Sequence, residues 1–297
     1  MSTKPTILLT GATGFLGSRM LEALLKENYP VVVLKRSTSN QWRIEHLTGR
    51  YKSYDLDIQP LKLAYEEQQI DCVIHTACHY GRNGDPIIDV VESNLMLGLK
   101  VLDVSLVHNV KTFINADSFL TRDLNTYSLS KKQLVDWLKQ LSNSIKVVNL
   151  KIEHIYGPKD DATKLMAWIV SELEKNIPEI NLTTGIQKRD FIYIDDVVSA
   201  FMCALESSGN FPDYYELEVG TGQSIEVKYF IENLKQVFDQ LNGQTDSQLN
   251  FGVVPYRQGE IMEYKVDNRA LRQLGWQPKV SLKQGLEQSL KEKKSNT

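Results

Sequence analysis

Tyr127 and Lys131 stand four positions apart in the segment YSLSK, a spacing at which their side chains could act together in acid–base chemistry. Residues at i and i+4 share one face of a helix, so the phenol and the ammonium would lie side by side. A neighbouring ammonium favours the phenolate and is expected to lower the pKa of the tyrosine from its usual value of about 10. Ser118, at the end of a predicted strand, could hydrogen-bond the same substrate oxygen. We predict that these three residues exchange a proton with an alcohol or a ketone.

A glycine-rich segment, TGATGFLG, follows the first predicted strand and begins the first predicted helix. Glycines at this spacing allow a tight turn and a close approach of the backbone to a pyrophosphate, which a helix N-terminus also favours. In this strand–turn–helix context the segment indicates a dinucleotide-binding loop. The predicted cofactor contacts of this region are Gly11, Thr13, Gly14, Phe15, Leu16, Gly17 and, after a later strand, Ala77.

The end of the second predicted strand favours NADPH/NADP+ over NAD. An acidic residue usually binds the ribose hydroxyls of NAD at this place, whereas this chain has Lys35, Arg36 and Ser37. A guanidinium can pair with the 2′-phosphate that a carboxylate would repel. The alternative interpretation is that Lys35 and Arg36 form a solvated strand end. Asp55, in preference to Asp57, is expected to accept a hydrogen bond from the adenine amino group.

The elements that must position these residues alternate between short apolar strands and amphipathic helices. Strands are predicted at 6–11, 31–36, 72–77, 112–117 and 146–152, and helices at 15–26, 90–107 and 126–141. Repeated β–α units with nearly continuous apolar strands predict an α/β fold with a doubly wound parallel sheet of the Rossmann type.

The pattern predicts two domains. Residues 1–152 with about 187–212 should form the NADP-binding domain, and about 153–186 with 213–297 should form a smaller, mixed C-terminal substrate lobe. The segment DFIYIDDVVSAFMCAL, at 190–205, is predicted to add a strand and a helix to the sheet domain.

The composition argues against several other classes of protein. The chain has 297 residues, 42% hydrophobic and 24% charged, with a net charge of -3, which argues against a general nucleic-acid binder. Its three cysteines lack CxxC spacing, so neither a metal site nor a disulfide framework is expected. No apolar run approaches the ~20 residues that span a bilayer, and no signal peptide is expected. We predict a cytoplasmic protein with reduced thiols.

Several segments resemble the NDP-sugar epimerase/dehydratase group of extended short-chain dehydrogenases/reductases. Besides TGATGFLG, they are VIHTAC at 73–78, HIYGP at 154–158, RDFIYIDDVV at 189–198, RQGEI at 257–261 and LGWQPKVSLKQGL at 274–286. This resemblance implies a nucleotide-sugar pocket in which Arg189 and Arg257 lie near the nucleotide and diphosphate. It also implies a homodimer formed through the helices at about 90–107 and 126–141.

Within that group, HYG at 79–81, NADSF at 115–119 and NLKIEHIYGP at 149–158 resemble CDP-abequose synthase and related 4-ketosugar reductases. The resemblance implies NADPH-dependent reduction of the C4 ketone of an NDP-4-keto-6-deoxy or 3,6-dideoxy hexose, for surface polysaccharide (O-antigen) synthesis. Tyr127 would protonate the carbonyl oxygen, Lys131 would tune Tyr127 and hold the nicotinamide ribose, and Ser118 would polarise the ketone. The substrate contacts expected from it are His79, Tyr80, Arg82, Ser118, Phe119, His154, Arg189, Arg257 and Glu260.

The chain departs from the group's pattern at several places. Only nine positions separate Ser118 from Tyr127 (127 − 118), fewer than is usual. Lys151 stands where an arginine is common, and Glu218 where an asparagine is common. The residues after Ser118 lack the acid that dehydratases carry there, and Asp117 is expected to point away and bond the backbone.

Two alternative functions stay open at this point. An NDP-sugar 4-epimerase would use the same three residues but retain its cofactor, commonly NAD. A non-catalytic NADP-binding protein could share the fold, because fold alone does not determine function.

Overall fold

The computed structural model describes residues 4–82, 84–257 and 259–294, so Gln258 of the RQGEI segment lies outside the described residues. The strands are β1 (Ile7–Thr10), β2 (Val31–Lys35), β3 (Lys52–Asp55), β4 (Cys72–His75), β5 (Thr112–Ser118), β6 (Lys146–Ile152), β7 (His154–Tyr156), β8 (Glu179–Leu182), β9 (Lys188–Arg189), β10 (Phe191–Tyr193), β11 (Tyr214–Val219), β12 (Ile225–Glu226) and β13 (Gln248–Phe251). The helices are α1 (Phe15–Lys26), α2 (Lys62–Glu67), α3 (Ile87–Val91), α4 (Leu97–Val107), α5 (Thr126–Gln140), α6 (Leu165–Glu174), α7 (Ile194–Ser207), α8 (Val227–Asn242), α9 (Arg269–Gln273) and α10 (Leu282–Lys294).

The first compact unit contains the residues up to Ile152 together with Val198–Glu218. Its sheet has seven strands in the order β11-β6-β5-β4-β1-β2-β3. Leu8 of β1 pairs in parallel with Val32 on one side and with Val73 on the other, so the strand order reverses direction at β1. A reversal of this kind leaves a crevice at the carboxyl ends of the strands, where ligands bind in such folds. The predicted doubly wound parallel sheet is confirmed.

The central strands are apolar because the sheet is covered on both faces. All four residues of β1 and of β4 are buried, and Phe113 and Ile114 of β5 are fully buried. Strands of parallel sheets typically have such continuous apolar runs. The buried cluster on one face includes Leu8, Val32, Val73, Phe113, Leu134 and Val147.

Two helices bring polar residues to the carboxyl end of this sheet. The predicted helix at 90–107 is interrupted by a π-helical turn at Glu92–Met96, and Asn94 in that turn is fully buried. Helix α5 begins at Thr126 because Asn125 and Ser128 form a capping box, in which Ser128 N donates to Asn125 Oδ1 at 2.8 Å and Asn125 N donates to Ser128 Oγ at 3.1 Å. The cap fixes where Tyr127 enters the helix.

Strand β3 is missing from the sequence prediction. Lys52 and Ser53 are exposed, so the segment lacks the apolar run that marks the other central strands. It pairs in parallel with β2, and Lys35 stands opposite Asp55 in the register.

The second compact unit contains Glu153–Val197 and the chain from Val219 onward. It holds three two-stranded sheets, β10 with β7, β12 with β9 and β13 with β8. An aromatic core includes the stacked rings of Phe191 and Phe230, whose centroids lie 3.8 Å apart. No helix among the described residues has the length and apolar character needed to cross a bilayer.

The segment DFIYIDDVVSAFMCAL is predicted to add a strand and a helix to the sheet domain; its helix α7 belongs to the first unit from Val198 onward, but its strand β10 does not join that unit. Ile192 of β10 pairs with Ile155 of β7 inside the second unit. The segment that returns to the first unit runs from Val198 to Glu218 instead of about 187–212, because β11 joins the large sheet beside β6.

Candidate active site

At Gly11 and Gly17 the glycine-rich loop leaves no space for a side chain. Gly11 has φ +72°, and a Cβ placed on it would lie 2.6 Å from Ala77 N. A Cβ on Gly17 would lie 2.0 Å from the carbonyl oxygen of Gly11. Gly14 closes the turn by donating its N–H to that same oxygen at 2.9 Å. The loop therefore presses the end of β1 against the residue after β4 and presents backbone N–H groups at the start of α1, an arrangement suited to a pyrophosphate.

The charges at the end of β2 are partly neutralised. Lys35 Nζ lies 3.2 Å from Asp55 Oδ2, which also accepts from Ser37 Oγ at 2.9 Å, and Asp57 N donates to Asp55 Oδ1 at 3.1 Å. Burial disfavours the Asp55 carboxylate, but these hydrogen bonds and the Lys35 charge together hold its pKa below the usual value. Arg36 is exposed.

Arg43 is a candidate that the sequence analysis did not identify. Its Nη1 donates to the carbonyl oxygen of Thr13 in the glycine-rich loop at 3.3 Å, and its guanidinium lies 4.4 Å from the centre of the Trp42 ring. The only signal in the sequence is that Arg43 is one of three arginines in the long connection between β2 and β3. The contact joins positions thirty residues apart, so spacing alone could not reveal it.

Ser118 and Tyr127 lie close together at the end of β5 and the start of α5. The Ser118 hydroxyl is near enough to the Tyr127 phenol to favour its ionised form, and Leu120 N donates to Ser118 Oγ at 3.1 Å. Lys131, one helical turn after Tyr127, is 2% exposed, and burial lowers the pKa of its ammonium. The three residues thus gather at the carboxyl end of β5 and the start of α5.

The direction of the Tyr127 pKa shift is opposite to the prediction. Burial raises this pKa well above 10, the Cys78 thiol and the Asp117 carboxylate raise it further, and the Ser118 hydrogen bond and the Arg82 charge oppose the rise. Desolvation of the phenolate outweighs these opposing effects. The phenol is therefore held in its protonated form, which is the form that can donate a proton.

The segment after β4 covers Tyr127 from the side. The rings of Tyr80 and Tyr127 have centroids 5.0 Å apart, and the Arg82 guanidinium lies 5.1 Å from the centre of the Tyr80 ring. Asn94 anchors the segment, because its Oδ1 accepts from His79 N at 2.7 Å and its Nδ2 donates to His79 O at 2.8 Å. Three predicted substrate contacts, His79, Tyr80 and Arg82, thus lie in a segment that reaches Tyr127.

Two residues that depart from the group's pattern bind each other. Lys151 Nζ lies 3.2 Å from Glu218 Oε1 and 3.3 Å from Glu216 Oε1. The same ammonium lies 5.2 Å from the centre of the Phe119 ring, so this pair supports the residue that follows Ser118. Asp117 bonds the side chains of Lys132 and Asn149 rather than the backbone, which corrects the expectation for that residue.

The remaining predicted substrate residues belong to the second unit. Arg189 is buried, pairs with Glu260, and stands 5.3 Å from the centre of the Tyr264 ring. Glu260 N donates to the carbonyl oxygen of Arg257 at 3.2 Å, which brings these three predicted residues into one cluster. His154 Nδ1 lies 3.1 Å from Oε2 of the buried Glu153. Among the residues that the structure describes, no group of three or more His, Cys, Asp and Glu side chains could hold a metal ion.

Comparison with known proteins gives consistent matches over most of the chain. The NAD dependent epimerase/dehydratase family matches residues 7–220. CDP-abequose synthase of Salmonella muenchen is 35% identical over 295 residues, covering 96% of each chain. The crystal structure of UDP-glucose 4-epimerase from Thermotoga maritima with UDP-glucose has a TM-score of 0.85 at 21% identity, covering 98% of this chain and 99% of that one. The structure of MoeE5 with UDP-glucuronic acid and NAD has a TM-score of 0.80 at 19% identity, covering 98% of this chain and all of that one.

In the variant His75→Asn, the free energy of unfolding should decrease less steeply as the pH falls below about 6.5. Burial and the neighbouring Lys131 charge lower the pKa of His75 to about 3, while the unfolded chain takes up a proton below about 6.5. The folded pKa is depressed, so the stabilising contribution is present above pH 6.5 and is lost as the pH falls towards 3, at about 1.4 kcal/mol per pH unit. Asparagine can keep the hydrogen bond to Thr10 Oγ1, which His75 Nδ1 makes at 2.8 Å. Urea unfolding between pH 7 and 4 measures the slopes, and equal slopes in both proteins would contradict the assignment.

Proposed function

Because the chain belongs to the NAD dependent epimerase/dehydratase family, we propose that it is an NADPH-dependent reductase of a nucleotide-linked 4-ketosugar. The proposed substrate is an NDP-4-keto-6-deoxy or 3,6-dideoxy hexose, and the product would serve surface polysaccharide (O-antigen) synthesis. The observation that carries the proposal is that Ser118, Tyr127 and the buried Lys131 gather at the end of β5 and the start of α5, where burial raises the pKa of the Tyr127 phenol. The similarity to CDP-abequose synthase over 96% of the chain supports the substrate class.

The reduction needs one proton at the ketone oxygen, and Tyr127 is suited to give it. When bound, NADPH would supply the hydride that reduces C4. As the carbonyl electron pair moves to oxygen, the Tyr127 O–H donates its proton and the Ser118 hydroxyl stabilises the developing charge. A phenol with a raised pKa is present entirely as the acid near neutral pH, so burial favours the reductive direction. We assign to Lys131 a contact with the nicotinamide ribose.

The residues around the glycine-rich loop fit a dinucleotide with a 2′-phosphate. The pyrophosphate would lie at the N-terminus of α1, where the close packing of Gly11 against Ala77 and of Gly17 against Gly11 holds the loop. Asp55 offsets the charge of Lys35, so we assign the 2′-phosphate chiefly to Arg36, with Arg43 as a second cation that already touches the loop. Ser37 and Asp55 would contact the adenosine.

Each unit, taken by itself, contains residues that we propose as substrate contacts. Tyr80, Arg82, His79 and Phe119 would bind the sugar beside Tyr127, because the Tyr80 ring lies against the phenol ring. In the second unit, Arg189 and Arg257 would bind the diphosphate, with Glu260 orienting Arg189 and His154 as a further contact. The charge of two guanidinium groups suits a diphosphate.

An NDP-sugar 4-epimerase is the second candidate. It would use the same Ser118, Tyr127 and Lys131, and UDP-glucose 4-epimerase of Thermotoga maritima shares the fold.

A homodimer through α4 and α5 is also proposed, because Val107 and Trp137 on these helices are 72% and 50% exposed. The cytoplasmic location stays a prediction.

Labelled cofactor distinguishes the reductase from the epimerase. With a panel of CDP-, dTDP- and GDP-linked 4-ketosugars, we expect one NADPH to be consumed per sugar reduced and deuteride from labelled NADPH to appear at C4. Absorbance loss and NMR of the product measure both quantities. Interconversion of C4 epimers with no net consumption of cofactor would establish the epimerase instead.

Tyr127→Phe should lower kcat by about 10²–10⁴-fold, the usual contribution of a general acid, while NADPH still binds. Because burial raises the pKa of Tyr127 above 10, the wild-type rate should show no decline from this group as the pH rises to 10. Lys131→Met should weaken cofactor binding as well as turnover. Tyr229→Phe, on the exposed face of α8, is the matched control and should retain full activity. Near-normal kcat in a folded Tyr127→Phe protein would refute the role.

Arg36→Ala should weaken NADPH binding about 10- to 100-fold, the effect of losing one charge-assisted contact, and leave NADH binding nearly unchanged. Arg43→Ala should act in the same direction. Arg50→Ala is the control, because Arg50 follows the same strand but donates to Leu25 O at the far end of α1. Calorimetric titration of the unmodified protein and the three variants with NADPH and with NADH measures these affinities. Equal binding of NADPH and NADH by the unmodified protein would remove the basis for NADPH specificity.

A further inference from the structure

The connection between Ser118 and Tyr127 is short and irregular. Residues 119–125, all of which the structure describes, form only turns and bends between β5 and α5. A connection of this kind does not by itself fix the end of a strand relative to a helix. The placement of the Ser118 hydroxyl near the Tyr127 phenol would therefore be stabilised by a further polar contact that joins the two elements.

Lys132, the residue after Lys131 on α5, makes such a contact. Its Nζ donates to Asp117 Oδ2 at 2.7 Å and to the carbonyl oxygen of Ser118 at 2.5 Å. The Lys132 side chain is 19% exposed and that of Asp117 only 1%. The Lys132 side chain thus joins the first half of α5 to the last two residues of β5, Asp117 and Ser118.

The Asp117 carboxylate is itself fixed from the other side. Asn149 Nδ2 donates to Asp117 Oδ2 at 3.3 Å, and Asn149 Oδ1 accepts from Asn115 Nδ2 at 2.8 Å, so the acceptor of Lys132 is tied to the neighbouring strand. A charge-assisted hydrogen bond to a buried carboxylate is shorter and stronger than a neutral one. The contact is therefore suited to hold a position rather than merely to neutralise a surface charge.

We propose that Lys132 is a positioning residue that, through Asp117 and the Ser118 carbonyl, holds the Ser118 hydroxyl against the Tyr127 phenol. The adjacent residues Lys131 and Lys132 then have different roles. Lys131 lies near His75, whereas Lys132 donates to the Asp117 carboxylate and to the backbone carbonyl of Ser118. The catalytic consequence of this placement rests on the proposed function, but the placement itself does not.

A second ion pair provides a matched control. Arg122, within the same connection, pairs with Asp136 of α5, and both side chains are largely exposed, at 41% and 58%. This pair joins the connection to the helix without touching β5. Surface pairs of this kind contribute little to stability. Arg122→Met therefore removes a cation from the same region while leaving the end of β5 in place.

The experiment compares Lys132→Met, Lys132→Arg and Arg122→Met with the unmodified protein. Hydrogen exchange of peptides covering 118–125 reports the Leu120 amide, which donates to Ser118 Oγ. In Lys132→Met we expect faster exchange there and a kcat lower by about 10- to 100-fold, since a misplacement of about 1 Å can cost 10²-fold. KM and NADPH affinity should stay within about twofold. Lys132→Arg should recover most of the loss, and Arg122→Met should behave like the unmodified protein.

Unchanged exchange and unchanged kcat in Lys132→Met would overturn the proposal, as would an equal loss in Arg122→Met. If Lys132→Met does not fold because Asp117 loses its cation, the double variant Lys132→Met/Asp117→Asn removes both charges. Fast exchange and low kcat in that variant would support the proposal, and normal values would overturn it. If the unmodified protein reduces no 4-ketosugar, the proposed function fails, and the exchange at Leu120 still decides whether Lys132 holds the strand end.

Discussion

The site depends on the close backbone packing of the glycine-rich loop. Gly17 lies so near Gly11 that a Cβ would stand 2.0 Å from the Gly11 carbonyl oxygen, and a Cβ on Gly11 would stand 2.6 Å from the backbone nitrogen of Ala77, after β4. These contacts place the N-terminus of α1 at the point where the strand order reverses direction. Backbone N–H groups and the helix dipole then point to one location. A side chain at Gly17 would push α1 away from the end of β1, and one at Gly11 would push that end away from Ala77, so either would displace the backbone N–H groups of the loop.

Burial sets the electrostatics at the end of β5. Lys131 and His75 are both withdrawn from water, and the pKa of each is lowered by that burial. The same desolvation raises the pKa of Tyr127, so the group proposed as the acid keeps its proton. Lys132 and Asp117 are also poorly solvated, but they form an ion pair in which each charge stabilises the other.

The departures from the family pattern are mutually compatible. Lys151 pairs with both Glu216 and Glu218, so the unusual lysine and the unusual glutamate form one network across β6 and β11. Asn149 joins this network to Asp117 through hydrogen bonds to both carboxylates. The short connection after Ser118 ends in the Asn125 capping box, which starts α5 without a longer loop.

The sequence by itself determined what depends on neighbouring residues in the chain: the glycine turn before α1, the apolar strands of the parallel sheet, and the place of Tyr127 and Lys131 on one helix. Tertiary structure decided what depends on residues brought close from afar. The partner of β10, the Lys35–Asp55 pair, the contact of Arg43 with Thr13 and the bond from Lys132 to Asp117 all join separated segments. The direction of the Tyr127 pKa shift was also decided by tertiary structure. Spacing predicts the nearby cation, but only the packed structure determines how much water the phenolate would lose, and that loss is the larger effect.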